Sequence, residues 1–441
     1  MRKRKKYFKT KSIIEFKDIL IDKKYLKSFA LKPEYFTRDR KFDIDDILLY
    51  EFNKKGLTSK MEIINFNDIT KAEQVSSVAV FKQREKLASA IFKDMNNRMM
   101  RIFYHECKDE VKTYKGYVLI AIDGSDFKIP NTKITREEYN GNSQEQCARV
   151  TVSTCYDVNN KYTLDTIVEK YNYSETEMAI RHYETIKKEN LLDDQKAIWI
   201  MDRGYMSLSN MYDIDKNGDK FLIRVSSAYY KSERANMKSN DEMIEIKPTS
   251  LRKNRAKESN MELYDHLKNG NSIKVRCVKI ELKTGEIEYI FTNLTEEEFN
   301  TAKINELYNS RWGIEINYNH LKNKVQIECI TSGKKNLIEQ DIFSQIYVSN
   351  MLQSFINDAE EEIEQEKYKN KQKINRNMAI GLFKNSLIYI ILEKNSSKRD
   401  KMADKLIEAM LKYLVSVEEG RNNPRKSNPK NKYNLNQRRS F

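Results

Sequence analysis

Two short apolar runs constrain this chain more than any other feature. Residues 118–122 (VLIAI) and 197–201 (AIWIM) are uninterrupted hydrophobic stretches. Each ends in an aspartate followed within two residues by glycine: Asp123-Gly124 and Asp202-Arg203-Gly204. Runs of this length without polar alternation suit strands buried on both faces of an α/β sheet. Alternating stretches at 149–156 and 163–168 add antiparallel strands. Ser174 and Glu177 form a capping pair for a helix through Ile186, Ser207 starts a short helix, and residues 221–225 read as another strand. Strands first, then alternating helix and strand, predict an α/β fold with mixed strand directions.

The flanking text is helical. Residues 13–31 are amphipathic and stop before Pro33, and Asp43 or Asp45 caps a helix over Ile47, Leu48 and Phe52 that Gly56 ends. Residues 58–87 predict two short helices with a break near Val75. Ser76 or Ser77 caps the second, which carries Lys82, Gln83, Arg84 and Lys86 on exposed positions. Such a pair suits a helix-turn-helix, and equally any small basic helical bundle. Residues 228–294 break the sheet rhythm: a basic polar stretch at 247–257 precedes alternating runs at 273–282 and 288–292, which predicts a β-rich insertion. Thr295 and Glu298 form a capping box for a long helix to about Val325. The expected division is a helical region at 1–110, a sheet core in two parts at 111–227 and 295–355 around the insertion at 228–294, and a helical C-terminal region with a basic tail at 356–441.

Charge suggests the partner. The net charge is +15, from 80 Lys and Arg against 65 Asp and Glu. Seven of the first eleven residues are basic, and residues 420–441 hold seven more with no acid, so both ends read as arms able to track phosphates. A balance this basic favours nucleic acid; an AT-rich gene, enriched in Lys, Asn and Ile, is the bland source of the same bias. Cys107, Cys147, Cys155, Cys277 and Cys329 lie far apart without a Cys-x-x-Cys pair, and only four His are present. A disulfide framework or zinc cage is therefore not expected, and a reducing cytoplasm fits. The basic N-terminus precedes no apolar segment of the signal-peptide kind, and the apolar run at 387–392 is too short to span a bilayer, so no membrane association is expected.

Open α/β sheets gather ligands at the carboxyl ends of their strands, which is where Asp123 and Asp202 stand, with glycines that let other groups approach. Each aspartate alone is equally a turn or cap residue. Asp126 falls on the other side of the strand or in a turn, Trp199 belongs to the core, and Asp193 and Asp194 to a loop. On the long helix Tyr308, Arg311, Glu315 and Lys322 fall within about 60° of arc beside an apolar stripe of Leu307, Ile314, Leu321 and Val325. A carboxylate flanked by two cations and an aromatic ring results. Read alone, it is also a solvated face with an Arg311–Glu315 ion pair. Three carboxylates, two from strand ends and one from a helix, suffice to hold two Mg²⁺ ions for in-line displacement at a DNA phosphate. His320, on the same helix, reads as a surface residue or a DNA contact.

The segment Tyr308-Asn-Ser-Arg-Trp-Gly-Ile-Glu315, with Leu321-Lys322 and Glu328 after it, resembles the signature of bacterial DDE transposases of the insertion-sequence-four type. Asp123-Gly-Ser125 is similar to that family's first aspartate motif and Asp202-Arg-Gly-Tyr205 to its second; Thr292-Asn-Leu294 and Gln340-Asp341 are further echoes, and the similarity covers about residues 35–355. The resemblance implies a ribonuclease-H-like core with a β insertion, a separate N-terminal DNA-binding region, and cut-and-paste transposition. It implies Asp123, Asp202 and Glu315 as catalytic metal ligands, two Mg²⁺ ions per site with Mn²⁺ able to substitute, and DNA contacts from Tyr308, Arg311 and Lys322, to which Trp312 is added as a ring able to take an unpaired base. Double-stranded DNA, as inverted-repeat ends and as target, is the implied partner, bound by a homodimer or higher oligomer. Some relatives cut through a DNA hairpin with a Trp of the insertion; this chain has only Trp199 and Trp312, neither of them there. A catalytically inactive DNA-binding protein derived from a transposase, and a nuclease with the same core but no strand transfer, are the rival readings.

Overall fold

A computed structural model describes residues 7–71, 74–140, 147–282 and 285–417. The basic arms expected at the two ends fall largely or wholly outside the described residues. The described residues form an eight-stranded mixed sheet of β1 (Tyr117–Lys128), β2 (Arg149–Asp157), β3 (Tyr162–Lys170), β4 (Lys196–Met201), β5 (Lys220–Val225), β6 (Asp241–Ile246), β7 (Ile273–Glu281) and β8 (Ile287–Thr292). Their order is β3-β2-β1-β4-β5-β8-β7-β6. β1–β4 and β4–β5 run parallel, and the other neighbours antiparallel. The first five strands thus have the order and directions of a ribonuclease-H-like core, and the last three extend it at the β5 edge.

Alternation along the central strands sorts their side chains into two faces. Ile120, Ile122, Trp199, Met201, Phe221 and Ile223 join one core with Ala179, Tyr183 and Ile186 of the crossover helix Glu175–Lys188 and with Met211 and Ile214 of Leu208–Lys216. Leu119, Ile198, Ile200 and Leu222 face the other way, against Ile304 and Leu307 of Thr301–Ser310. The capping expected at Ser174 is present: its Oγ accepts from Glu177 N at 3.3 Å.

Four local expectations need correction. Residues 13–31 are not one helix: Phe8–Ile21 ends at Asp22, which caps Lys23–Ser28. The helix expected from Thr295 begins at Thr301, because Asn300 takes the cap by accepting from Lys303 N, and Thr295 closes only a turn. It is interrupted at Arg311, resumes as Trp312–His320 and ends in a wider π-turn, Leu321–Val325. The insertion is not strands alone: helix Lys231–Ala235 precedes β6, and helices Ser250–Ser259 and Met261–Lys268 lie between β6 and β7, the first of these two taking in most of the basic stretch. Gln83 and Arg84 are not exposed; both are buried, and Arg84 lies against the long helix Lys335–Glu362, where it meets Asp341, and also meets Glu51.

One large hydrophobic cluster runs through these regions. Phe16, Leu48 and Phe92 of the N-terminal helices belong to the same cluster as Ile122 and Trp199 of the sheet, Tyr347 and Phe355 of the long helix, and Phe383 of Arg376–Leu392. Position 110 therefore marks a change of secondary structure without a break in the packing. Among the described residues, no helix is long and apolar enough to cross a membrane, and none of the five cysteines is joined in a disulfide.

Candidate active site

Strand register brings the two aspartates together. The last parallel pair of β1 and β4 is Ile122↔Met201, so Asp123 and Asp202 are the next residues on adjacent strands. Strands in a ladder lie about 4.8 Å apart, and alternation turns both side chains to the face covered by the interrupted helix. Ile314, Leu321 and Val325 are buried there, and Tyr318 Oη donates to the Asp123 carbonyl at 2.7 Å. This docking sets Glu315 at the same rim.

Arginines hold the three carboxylates. Arg311 lies 3.5 Å from Asp123 through Nη1 and 2.9 Å from Glu315 through Nη2. Arg224, on β5, grips Asp202 with Nε at 2.7 Å and Nη2 at 3.2 Å, and also pairs with Glu288 on β8. Tyr308 Oη donates to Asp202 Oδ1 at 3.2 Å. Burial pushes the Asp123 carboxyl up to about 6, with Glu315 and Asp202 adding repulsion and Arg311 opposing both. Asp202 is also pushed up by burial, but the Arg203 N–H and Arg224 outweigh this and hold it below the ordinary range.

Tyr308, Arg311, Glu315 and Lys322 do share a face, but it is not a solvated one. Arg311 is only 6% exposed. Lys322 Nζ reaches back to Ser125 Oγ at 2.7 Å and lies over the Phe127 ring, and burial pulls its ammonium below the usual lysine range. Trp312 is 43% exposed and stacks beside Arg311. His320 sits apart from the acids, where burial first, then Arg376, Lys373, Lys324 and Lys161, push its imidazole down to about 3.

Both glycines admit a neighbour. A Cβ on Gly124 would lie 2.9 Å from Tyr205 Oη, and one on Gly204 only 1.6 Å from Glu175 Oε2. Glu175 is thus a further carboxylate at this rim. Partial burial raises it, and Asp202 and Asp126 add to the effect. The sequence reading assigned no role to Glu175, Arg224, Glu288 or Tyr318. Arg224 carried a signal, as the one charge inside the apolar run of β5; Glu175 read only as the first residue of a capped helix.

All the acids of the rim offer hard oxygen donors, and no Cys or His lies among them, so the donor chemistry suits Mg²⁺ or Mn²⁺. Their mutual repulsion at Asp123 is a demand for a cation that Arg311 meets in this arrangement. Among the described residues no three of His, Cys, Asp and Glu are gathered closely enough to cage a metal ion.

Comparison with known proteins adds an independent line. Residues 114–351 match the family described as "Transposase DDE domain". The chain is 21% identical over 290 residues, 63% of its length, to the transposase InsG for insertion sequence element IS4 of Escherichia coli (strain K12). It spans 60% of the length of that relative. Among solved structures, the piggyBac transposase synaptic complex with hairpin DNA aligns with 90% of this chain and 85% of its own, at 11% identity and a TM-score of 0.44.

Proposed function

This chain belongs to the transposase DDE domain family, and on that premise we propose that it cleaves DNA at the ends of a transposable element and joins the freed ends to target DNA. The observation that carries this reading is the convergence of Asp123, Asp202 and Glu315 on one rim with Arg311 between two of them.

Asp123, Asp202 and Glu315 are the residues to hold two divalent cations. Bound Mg²⁺ or Mn²⁺ supplies the Lewis acidity that phosphodiester exchange needs. The protein's own part is placement. Arg311 can exchange its carboxylate partners for a non-bridging phosphate oxygen, and its planar fork suits that contact better than a lysine. Lys322, tied to the end of β1, holds a second phosphate beside the first aspartate. Tyr308 orients Asp202 and borders the strand path, and Trp312 offers an exposed ring for an unpaired base. In the first step a water oxygen bonds to phosphorus as the P–O3′ bond breaks, and the 3′ oxygen leaves as a hydroxyl. In the second that hydroxyl loses its proton and attacks a target phosphate, whose own 3′ oxygen departs. Pairing two ends requires at least a dimer.

The test is incubation of the protein with linear DNA carrying the element's ends and a separate target, with Mg²⁺, Mn²⁺ or EDTA. Cut ends and joined products that appear only with metal are expected. Full cleavage in EDTA overturns the metal mechanism, and cleavage without any joined product reduces the protein to a nuclease.

A further inference from the structure

Behind the rim, on the opposite face of the sheet, lies a buried polar chain that the chemistry above does not use. Lys93 Nζ is 3.0 Å from Asp165 Oδ1, and Asp165 Oδ2 accepts from His182 Nδ1 at 2.7 Å. His182 Nε2 lies 3.0 Å from Ser153 Oγ, which donates to the main-chain carbonyl of Asp123 at 3.3 Å. Ser153 and His182 are fully buried and Asp165 is 2% exposed.

The position of this chain follows from register. Ser153 is the cross-strand partner of Gly124, and Asp165 that of Cys155, so both side chains point to the crossover helix, which supplies His182. The Asp123 carboxylate projects from the other face. Because the β1–β4 ladder ends at Ile122↔Met201, the peptide of Asp123 has a strand neighbour on one side only. Its carbonyl is held by hydroxyls from both layers, Ser153 from one and Tyr318 from the other. The Asp165 carboxylate, an acceptor only, requires a proton on Nδ1, and Ser153, whose single O–H goes to the Asp123 carbonyl, accepts from a proton on Nε2, so the relay uses the ring as a donor at both nitrogens. Burying an aspartate and a histidine is costly compared with an apolar pair of the same volume, and only full satisfaction of each polar atom makes such a chain rigid.

We propose that Lys93, Asp165, His182 and Ser153 form a positioning relay that fixes the peptide of Asp123 from behind, so that its carboxylate stands at a constant height opposite Asp202 and Glu315. The proposal rests on the reading of Asp123 as a ligand for divalent cations. None of the four touches substrate; they act on Asp123 as outer partners act on a metal ligand, by limiting its movement.

The test uses the full chain. Ser153→Ala cuts only the link to Asp123. His182→Gln keeps an amide able to reach Ser153, and His182→Phe fills the ring space with no hydrogen bond. Each is measured for thermal unfolding, for affinity to end DNA, for the Mn²⁺ dependence of cleavage, and for direct Mn²⁺ binding to the DNA complex by electron paramagnetic resonance. Ser153→Ala is expected to bind DNA as the unaltered chain does and to lose about tenfold or more in Mn²⁺ affinity. His182→Gln should retain more of that affinity than His182→Phe. Unaltered Mn²⁺ binding in Ser153→Ala overturns the relay, as do equal affinities in the two His182 variants. An Asp123→Asn chain that still cleaves defeats the underlying reading instead, so the two failures are separable.

Discussion

Two clusters of charge in this molecule use the same residue types to opposite ends. At the rim, Asp123, Asp202, Glu315 and Glu288 face Arg311 and Arg224, and Glu175 adds its charge to that of Asp202, so acids outnumber these arginines. The Asp123, Asp202 and Glu315 side chains remain 19%, 28% and 31% exposed. At the seam between the N-terminal helices and the long helix, Glu51 and Asp341 face Arg84 and Lys54, with each of the four ion pairs at 2.6 Å and every side chain at most 9% exposed. Arg84 and Lys54 hold the Asp341 carboxyl well below the ordinary range, overcoming the burial that pushes it up. A matched, dry cluster satisfies itself and joins helices. An acid-rich, half-open one holds more negative charge than its arginines neutralise, which is the kind of site we propose for divalent cations.

Substitution should separate the two kinds of cluster sharply. The largest expected effect is functional: Asp123→Asn, Asp202→Asn and Glu315→Gln each reduce cleavage and joining to background in gel assays while end binding persists. Asp123→Asn should not lower the melting temperature at pH 7. Its raised pKa means the folded state disfavours the charged form, so the neutral side chain removes a cost. Near-normal cleavage by Glu315→Gln removes that residue from the set.

The seam should answer with stability. Asp341→Asn leaves Arg84 buried without its best partner and should cost about 3–5 kcal/mol in urea unfolding. Replacing Arg84 and Asp341 together by apolar residues should cost less than the single change. A loss under about 1 kcal/mol for Asp341→Asn would place the seam with ordinary surface pairs and dissolve the contrast.

Arg311→Ala is intermediate. If Arg311 passes to a phosphate when DNA enters, the plot of log affinity against log salt should lose about one unit of slope, and cleavage should fall while the metal requirement stays the same. Arg311→Lys should restore the charge without the two-pronged contact, and so only part of the rate. Unchanged affinity and rate in Arg311→Ala would leave it a structural ion pair.

The smallest effect concerns Lys384, which borders the seam and donates to Lys54 O at 2.7 Å and Gln345 Oε1 at 2.6 Å. Burial pulls its ammonium down to about 7. Between that value and the unfolded value of about 10.4 the unfolded chain binds the extra proton, so stability should rise as pH increases through this window. Lys384→Met should flatten the slope of melting temperature against pH; an unaltered slope would show that Lys384 is charged in the fold.

How much of this was legible in the sequence depends on the range of the forces involved. Periodicity and apolar runs are local, so the sequence alone determined the core strands, the caps at Ser76 and Ser174, and the aspartates that follow two apolar runs, although only Asp202 ends its strand, since β1 continues past Asp123 to Lys128 along β2. It also marked the acid on the helix, with one cation four residues before it and another seven after. What no local pattern contains is register. Only the pairing of Ile122 with Met201 made Asp123 and Asp202 neighbours, and only packing showed that Arg311 faces the acids and Arg84 the interior. Arg84 read as a surface residue because nothing near it in the chain announces Glu51 or Asp341; its burial is favourable only once both carboxylates meet it. The helix start moved from Thr295 to Thr301 because Thr295 closes only a turn and Asn300 caps the helix that docks on the sheet. Sequence patterns dictate which elements form and what chemistry they carry, whereas the long-range pairing of strands and charges, whose energy depends on partners distant in the chain, decides which side chains meet.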